Sequence, residues 1–301
     1  MDDFSIFVDN QSNSFIHMND ELTTEGSDKY TGRPTNLQFE RKFFNKKIDC
    51  LDKGFVRLVD YMGTDASIVQ AARVSYGDGT KTVREDKKLI DYLWKNEHLS
   101  PFEMVSLKFH CKMPIFVARQ WVRHRTAKIN EISGRYSILS EEFYVPDKNN
   151  INSQCKDNKQ GRGEILSEVD ASNFLHHLNN SYEQNKIAYE LALEDNVARE
   201  LARISLPVST YTEWYWKIDL RNLLHFLKLR LDSHAQYEIR VYAEAMATIV
   251  KALVPYTWES FEEHTLYGTH LSRSQSNLIK KLMYSEELTQ EEKDKLKMIF
   301  K

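Results

Sequence analysis

Apolar and polar positions along the 301-residue chain alternate in different ways in different stretches. Residues 1–46 are rich in Asn, Asp, Ser and Thr and hold no sustained period, which predicts a polar N-terminal extension without a core of its own. Patterned sequence runs from 47 to 268, and 269–301 reads as a charged, solvated helical tail. Within the patterned part, Val105, Leu107, Phe109 and Cys111 alternate with Ser106, Lys108, His110 and Lys112, the period of a half-buried strand. Thr210 to Ile218, aromatic and β-branched, predicts a second strand. Helical spacing appears from Asp65 to Ser75, capped by Thr64 or Asp65. It recurs from Asp86 to Glu97, with Leu89, Ile90, Leu93 and Trp94 on one face.

Further along, Ser100-Pro101-Phe102-Glu103 is a capping-box pattern with proline at the first helical position, so a helical turn starts there. Pro114 opens a helix predicted to reach Arg125. Long amphipathic helices follow over Phe174 to Leu193 and Ala235 to Leu253, with a shorter helical stretch from Asn196 to Leu206. Asp219 is placed to cap a helix ending at Arg230. The polar run 147–163 reads as a surface loop. Helices outnumber strands and do not alternate regularly with them, which predicts α+β rather than a doubly wound sheet.

Composition changes this picture little. The 41 Lys+Arg against 44 Asp+Glu give a formal charge of -3, which argues against a protein that binds nucleic acid through bulk positive charge. The three cysteines, Cys50, Cys111 and Cys155, are far apart and form no CxxC pair, so a disulfide scaffold or a cysteine zinc site is not expected. The N-terminal residues lack a basic segment followed by an apolar one, and no apolar run is long enough to span a bilayer. A cytoplasmic protein without membrane association is expected.

Chemistry concentrates in two places. Arg119-Gln120-Trp121-Val122-Arg123-His124-Arg125 is followed by Asn130-Glu131 and Ser133-Gly134-Arg135. Cations closing a helix would explain the first run through the helix dipole. They do not explain the sequel, in which a hydroxyl, a permissive glycine and a forked guanidinium can cradle a phosphate. The second place combines Arg199 and Arg203 with Arg221, His225 and Leu229 at i, i+4 and i+8, then Arg230. Arginines interleaved with aromatics suit a phosphorylated aromatic ligand. A nucleic-acid-binding module would use the same groups, but Glu131 and Asp219 sit inside the clusters. The ten histidines form no HExxH or comparable metal-ligand spacing.

Arg123-His124-Arg125, seven residues and then Ser133 resembles the RHR-x7-S signature of the flavin-dependent thymidylate synthases. The resemblance extends from about Ile48 to Tyr267, through Leu51–Val56, Ala71–Ser75, His98–Glu103 and Leu229–Gln236. It implies an antiparallel sheet, a homotetramer with shared active sites, FAD, NADPH and 5,10-methylenetetrahydrofolate. The implied reaction is the methylation of dUMP to dTMP. Carried over by position, Ser100, Arg123, His124, Arg125, Glu131, Asp219, Arg221 and His225 contact the flavin, as do Ser75, His98 and Asn130. Gln120, Arg123, Glu131, Ser133, Gly134, Arg135, Arg203 and Arg230 form the nucleotide site, with Arg230 and Ser133 closest to the chemistry. Ser133 could attack or merely position; positioning is expected, since no adjacent base is evident. Three positions depart from the family pattern: Lys128 stands where serine is usual, and Asp219 and His225 where asparagine is. Lys128 either faces solvent or meets a phosphate.

Overall fold

Nine-residue strands form the spine of the molecule, because alternating sequence there meets an apolar layer on one side and water on the other. In a computed structural model, residues 36–74, 83–156, 161–284 and 288–297 are described, and the elements below belong to these. Strands β1 (Lys47–Cys50), β2 (Gly54–Met62), β3 (Ser106–Pro114), β4 (Lys128–Glu131) and β7 (Tyr211–Asp219) form one sheet in the order β1-β2-β3-β7-β4, antiparallel throughout. On β3, Leu107, Phe109, Cys111 and Met113 face inward, as the alternation predicts. Trp214, Trp216 and Ile218 do the same on β7.

The inner face is covered by α4 (Ile115–Trp121), α7 (Leu220–Arg230) and α8 (Tyr237–Leu253). The opposite face carries polar side chains. Lys128, Lys217 and Lys108 stand directly across from one another on β4, β7 and β3, and Asp60 on β2 is paired with Lys108 at 3.5 Å. The α+β expectation, an antiparallel sheet packed with helices, therefore holds. Where β1 turns into β2, a Cβ on Gly54 would collide with the Tyr242 hydroxyl. That hydroxyl donates to the Lys112 carbonyl at 2.9 Å and ties α8 to the sheet.

Packed structure begins earlier than the patterning places it. Helix α1 (Leu37–Phe43) buries Phe39 and Phe43, and Phe39 meets Tyr61 edge-on at 5.3 Å. The last ten residues of the expected extension thus belong to the fold; residues 1–35 lie outside the described residues. Helices α2 (Asp65–Arg73) and α3 (Val83–Lys95) follow, with Thr64 as the α2 cap. Asp65 is buried and accepts from the Tyr256 N–H, the Thr257 N–H and the Thr257 hydroxyl at 2.6–3.1 Å, so it anchors the N-terminus of α9 (Pro255–Phe261). Burial pushes its carboxyl pKa up despite those bonds.

The surface loop expected over 147–163 carries regular structure among its described residues. There β5 (Asn152–Gln154) pairs with β6 (Arg162–Ile165) in a small sheet of its own. Next come α5 (Glu168–Glu194, 27 residues) and α6 (Arg199–Ala202). Helices α10 (Arg273–Met283) and α11 (Gln290–Lys297) are mostly exposed and joined by a Lys281–Glu292 pair at 2.8 Å, the solvated helical tail that the composition implies. Among the described residues, no helix is long and apolar enough to cross a membrane.

Candidate active site

The helix that the sequence carries to Arg125 ends at Trp121. The Trp121 ring is fully buried among Trp214, Trp216 and Phe226, with ring centroids 5.2–5.4 Å away. Beyond it the backbone tightens. The Arg123 N–H reaches the Gln120 carbonyl at 3.4 Å and the His124 N–H reaches Trp121 at 3.0 Å, after which the chain enters β4. Arg119 and Arg123 therefore do not share a helix face, and Arg123, His124 and Arg125 lie in a turn. Strand β4 is not expected from the sequence; it is four exposed residues paired, among the described residues, with β7 alone.

Helix α7 faces this turn. Asp219 caps it as the sequence predicts, its carboxylate accepting the Asn222 N–H at 2.9 Å and the Asn222 side-chain amide at 2.7 Å. Arg221, His225 and Leu229, one face of that helix, line a pocket of about 570 Å3 together with Arg123, His124 and Arg125. Residues from the end of α3 and from the chain after α9 close its far side. Phe261 and Thr265 reach it where α9 widens into a π-turn over Glu262–Leu266, and Trp94 Nε1 donates to the Thr265 hydroxyl at 3.0 Å. Lys228 also lines the pocket. It was missed in the sequence, although it lies at i+7 from Arg221, on the same face.

At one wall of the pocket stands Arg230, half-buried. Its Nε donates to His124 Nε2 at 3.2 Å, and its Nη2 lies 3.5 Å from the Gln120 carbonyl. Burial and the neighbouring Arg230 and His225 push the His124 pKa down to about 4. His124 is therefore neutral at pH 7, which leaves Nε2 free to accept and puts its proton on Nδ1. Burial lowers the Arg230 pKa as well, but a guanidinium stays charged. The result is a cation fixed in place by a neutral acceptor.

The other predicted residues gather elsewhere. A Cβ on Gly134 would lie 3.1 Å from Arg203 Cδ, so this glycine lets the Ser133–Arg135 turn rest against Arg203. Arg135 Nε pairs with Glu200 at 3.0 Å, Arg203 Nε reaches the Glu200 carbonyl at 3.4 Å, and Arg199 binds the Tyr136 carbonyl at 2.6 Å. Ser133 Oγ accepts the Arg135 N–H at 3.3 Å, and among the described residues no titratable side chain is bonded to it. On β4, Glu131 stands opposite Trp214 on the inner face and accepts the Thr212 hydroxyl at 2.6 Å. Asn130 stands opposite Tyr215 on the outer face, so these neighbours point to opposite sides of the sheet.

The remaining positions are placed less closely. His98 and Ser100 are exposed, alternating along the chain with the pocket residues Glu97 and Leu99. Ser75 lies outside the described residues. Lys128 is exposed on the outer face opposite Lys217. One chain thus carries two arginine-bearing regions, one a pocket and the other an open turn.

Both regions lie in the part of the chain that resembles known proteins. Residues 57–256 match the Thymidylate synthase complementing protein family. The chain is 58% identical over 240 residues to the flavin-dependent thymidylate synthase of Treponema denticola, covering 79% of this chain and 90% of that one. It is 58% identical over 239 residues to the enzyme of the same name from Thermus thermophilus, covering 79% and 87%. Among solved structures it resembles the UMP/dUMP methylase PolB from Streptomyces cacaoi bound with 5-Br dUMP. That similarity has a TM-score of 0.66 at 36% identity, over 71% of this chain and 97% of that one. With the family match spanning most of the sheet and both arginine-bearing regions, the chain belongs to the flavin-dependent thymidylate synthases.

Proposed function

We propose that this protein methylates dUMP reductively to dTMP, with FAD as hydride carrier, NADPH as reductant and 5,10-methylenetetrahydrofolate as one-carbon donor. The observation that carries this reading is the pocket itself. It is lined by five cationic side chains, Arg123, Arg125, Arg221, Lys228 and Arg230, together with the flat rings of His124 and His225. That donor set fits a ligand with both phosphates and planar rings, as FAD is. The flavin, when bound, supplies the hydride chemistry that side chains cannot.

The residues of this chain then bind and orient. Arg123, Arg125, Arg221 and His225 hold the flavin side, with Asp219 fixing the helix that carries two of them. Ser133, Gly134, Arg135 and Arg203 take the nucleotide phosphate through N–H groups and guanidinium forks. Arg230 stands beside the uracil imide and favours its N3 anion, which makes the ring a better carbon nucleophile. Ser133 positions rather than attacks, since among the described residues no titratable side chain is bonded to its hydroxyl.

Assembly as a homotetramer completes the site in this reading. Ile129, Ile132, Tyr136 and Ile138, with Leu201, Ile204 and Val208, leave large apolar side chains exposed around the open turn. Covering them with a second copy would enclose the Ser133–Arg203 region. Purified protein should be yellow and bleach with NADPH under anaerobic conditions. It should release tritium from dUMP labelled at uracil C5 when the folate is present. Protein that takes up no FAD and releases no tritium overturns the proposal.

A further inference from the structure

Gln120 lies on the last turn of α4, and its side chain reaches a line of polar groups that the pocket residues do not account for. Its Nε2 donates to Gln236 Oε1. Gln236 in turn donates its Nε2 to Glu238 Oε2 at 2.8 Å. Glu238 is buried at 3% exposure on the first turn of α8. Arg162, on β6 of the small hairpin, donates to both of its oxygens at 2.5–2.6 Å, and the Tyr144 hydroxyl donates to Oε1 at 3.1 Å.

The direction of this line follows from its buried end. A carboxylate paired with a guanidinium offers acceptors and no donor. Gln236 must therefore turn its NH2 toward Glu238, which leaves its carbonyl oxygen toward Gln120. Gln120 must then donate with its own NH2. An amide whose NH2 is committed presents its carbonyl oxygen to whatever binds beside it. The same residue also offers its backbone carbonyl to Arg230 at 3.5 Å, so its side chain stands at the wall where Arg230 is fixed.

We propose that Glu238, acting through Gln236, is a positioning residue that fixes the Gln120 amide with its Oε1, an acceptor, toward the nucleotide. This rests on Gln120 belonging to the dUMP site. The nucleotide offers two donors that such an oxygen can accept, the sugar 3′-hydroxyl and the uracil N3–H. Arg162 brings strand β6 into the same device, since its guanidinium donates to both carboxylate oxygens and so marks them as acceptors.

The test uses the FAD-loaded full chain and dUMP titrations read from the flavin absorbance. Gln236→Leu leaves the Arg162–Glu238 pair in place but cuts the line. It should weaken dUMP binding about 5- to 10-fold while FAD content and the melting midpoint stay as in the unmodified protein. Glu238→Gln should give a similar loss, because an amide can face Gln236 either way round. In a Gln120→Ala background neither change should add more than about twofold.

The two donors are told apart with 2′,3′-dideoxyuridine monophosphate and N3-methyl dUMP. Gln236→Leu should shrink the binding penalty of whichever analogue lacks the donor that Gln120 accepts. Unchanged dUMP affinity in Gln236→Leu, losses that add to Gln120→Ala, or equal penalties for both analogues in both proteins would overturn the positioning role. Unmodified protein that holds FAD but shows no response to dUMP overturns the nucleotide reading itself, and the positioning role with it.

Discussion

Arg230 and Arg203 are both proposed to hold the same nucleotide, yet the fold treats them differently. Arg230 is half-buried, with Nε on a neutral His124 and Nη2 toward the Gln120 carbonyl. Arg203 is exposed, and its Nε makes a long contact to the Glu200 carbonyl. Its neighbour Arg135 pairs with Glu200 where both side chains are more than half or about half exposed, a pair worth little in water. One region is organised before any ligand arrives; the other is held loosely and leaves its donors available. Groups fixed in advance contribute most where charge develops, and adaptable ones contribute to holding the ligand.

The sharpest way to break this contrast is to remove each arginine in turn. Arg230→Ala should lower kcat about 100-fold or more, since a cation placed beside developing charge has no substitute there. Arg203→Ala should instead raise the KM for dUMP about tenfold and leave kcat within about threefold, the pattern of lost ground-state binding. Steady-state tritium release measures both. Equal effects on kcat would show that the two regions do not divide the work as proposed.

Acid should sharpen the same contrast through stability. His124 has a pKa of about 4 in the fold against about 6.5 in an unfolded chain. Between those values the unfolded chain takes up a proton there that the native protein refuses, so this group's contribution is full above about pH 6.5 and is lost as pH falls through about 4. Protonation would also turn the acceptor of Arg230 into a second cation. Thermal melts of flavin-free protein from pH 7 to 4.5 should fall less steeply in His124→Asn than in the unmodified protein; parallel curves would remove the neutral-histidine argument.

The smallest expected effect concerns the departure at Asp219. Its carboxylate is occupied by the N-terminus of α7, so Asp219→Ala should destabilise by about 1 kcal/mol while Asp219→Asn, an equally good cap, stays within about 0.5 kcal/mol. Denaturant midpoints of the two variants decide it.

Legibility followed the range of the forces involved. The β3 alternation, the Asp219 cap and the Arg221–His225–Leu229 face are set by periodicity and by contacts three or four residues apart, and each stands where the sequence puts it. The helix predicted through Arg125 stops short because Trp121 is drawn into a cluster with Trp214, Trp216 and Phe226, about a hundred residues away. Edge strand β4 has no inward alternation to announce it, being exposed at all four positions. The pairing of β5 with β6 falls largely in the run 147–163, which reads as a loop because its residues are polar, and Arg162 finds its partner at Glu238 only in three dimensions.

The sequence alone determined the kind of chemistry: arginines, histidines and aromatics in an order that resembles one enzyme family, on a chain whose charges nearly cancel. It also determined most of the helices and strands, though not the end of α4, strand β4 or the β5–β6 pair. The tertiary structure decided which of those arginines is fixed and which is free, because fixing a guanidinium takes partners such as His124 and Gln120 that lie 106 and 110 residues away in sequence. It decided too that Asn130 and Glu131 part company across the sheet, and that Gln120 has a fixed direction. Burial and hydrogen-bond polarity arise between segments that no local pattern joins.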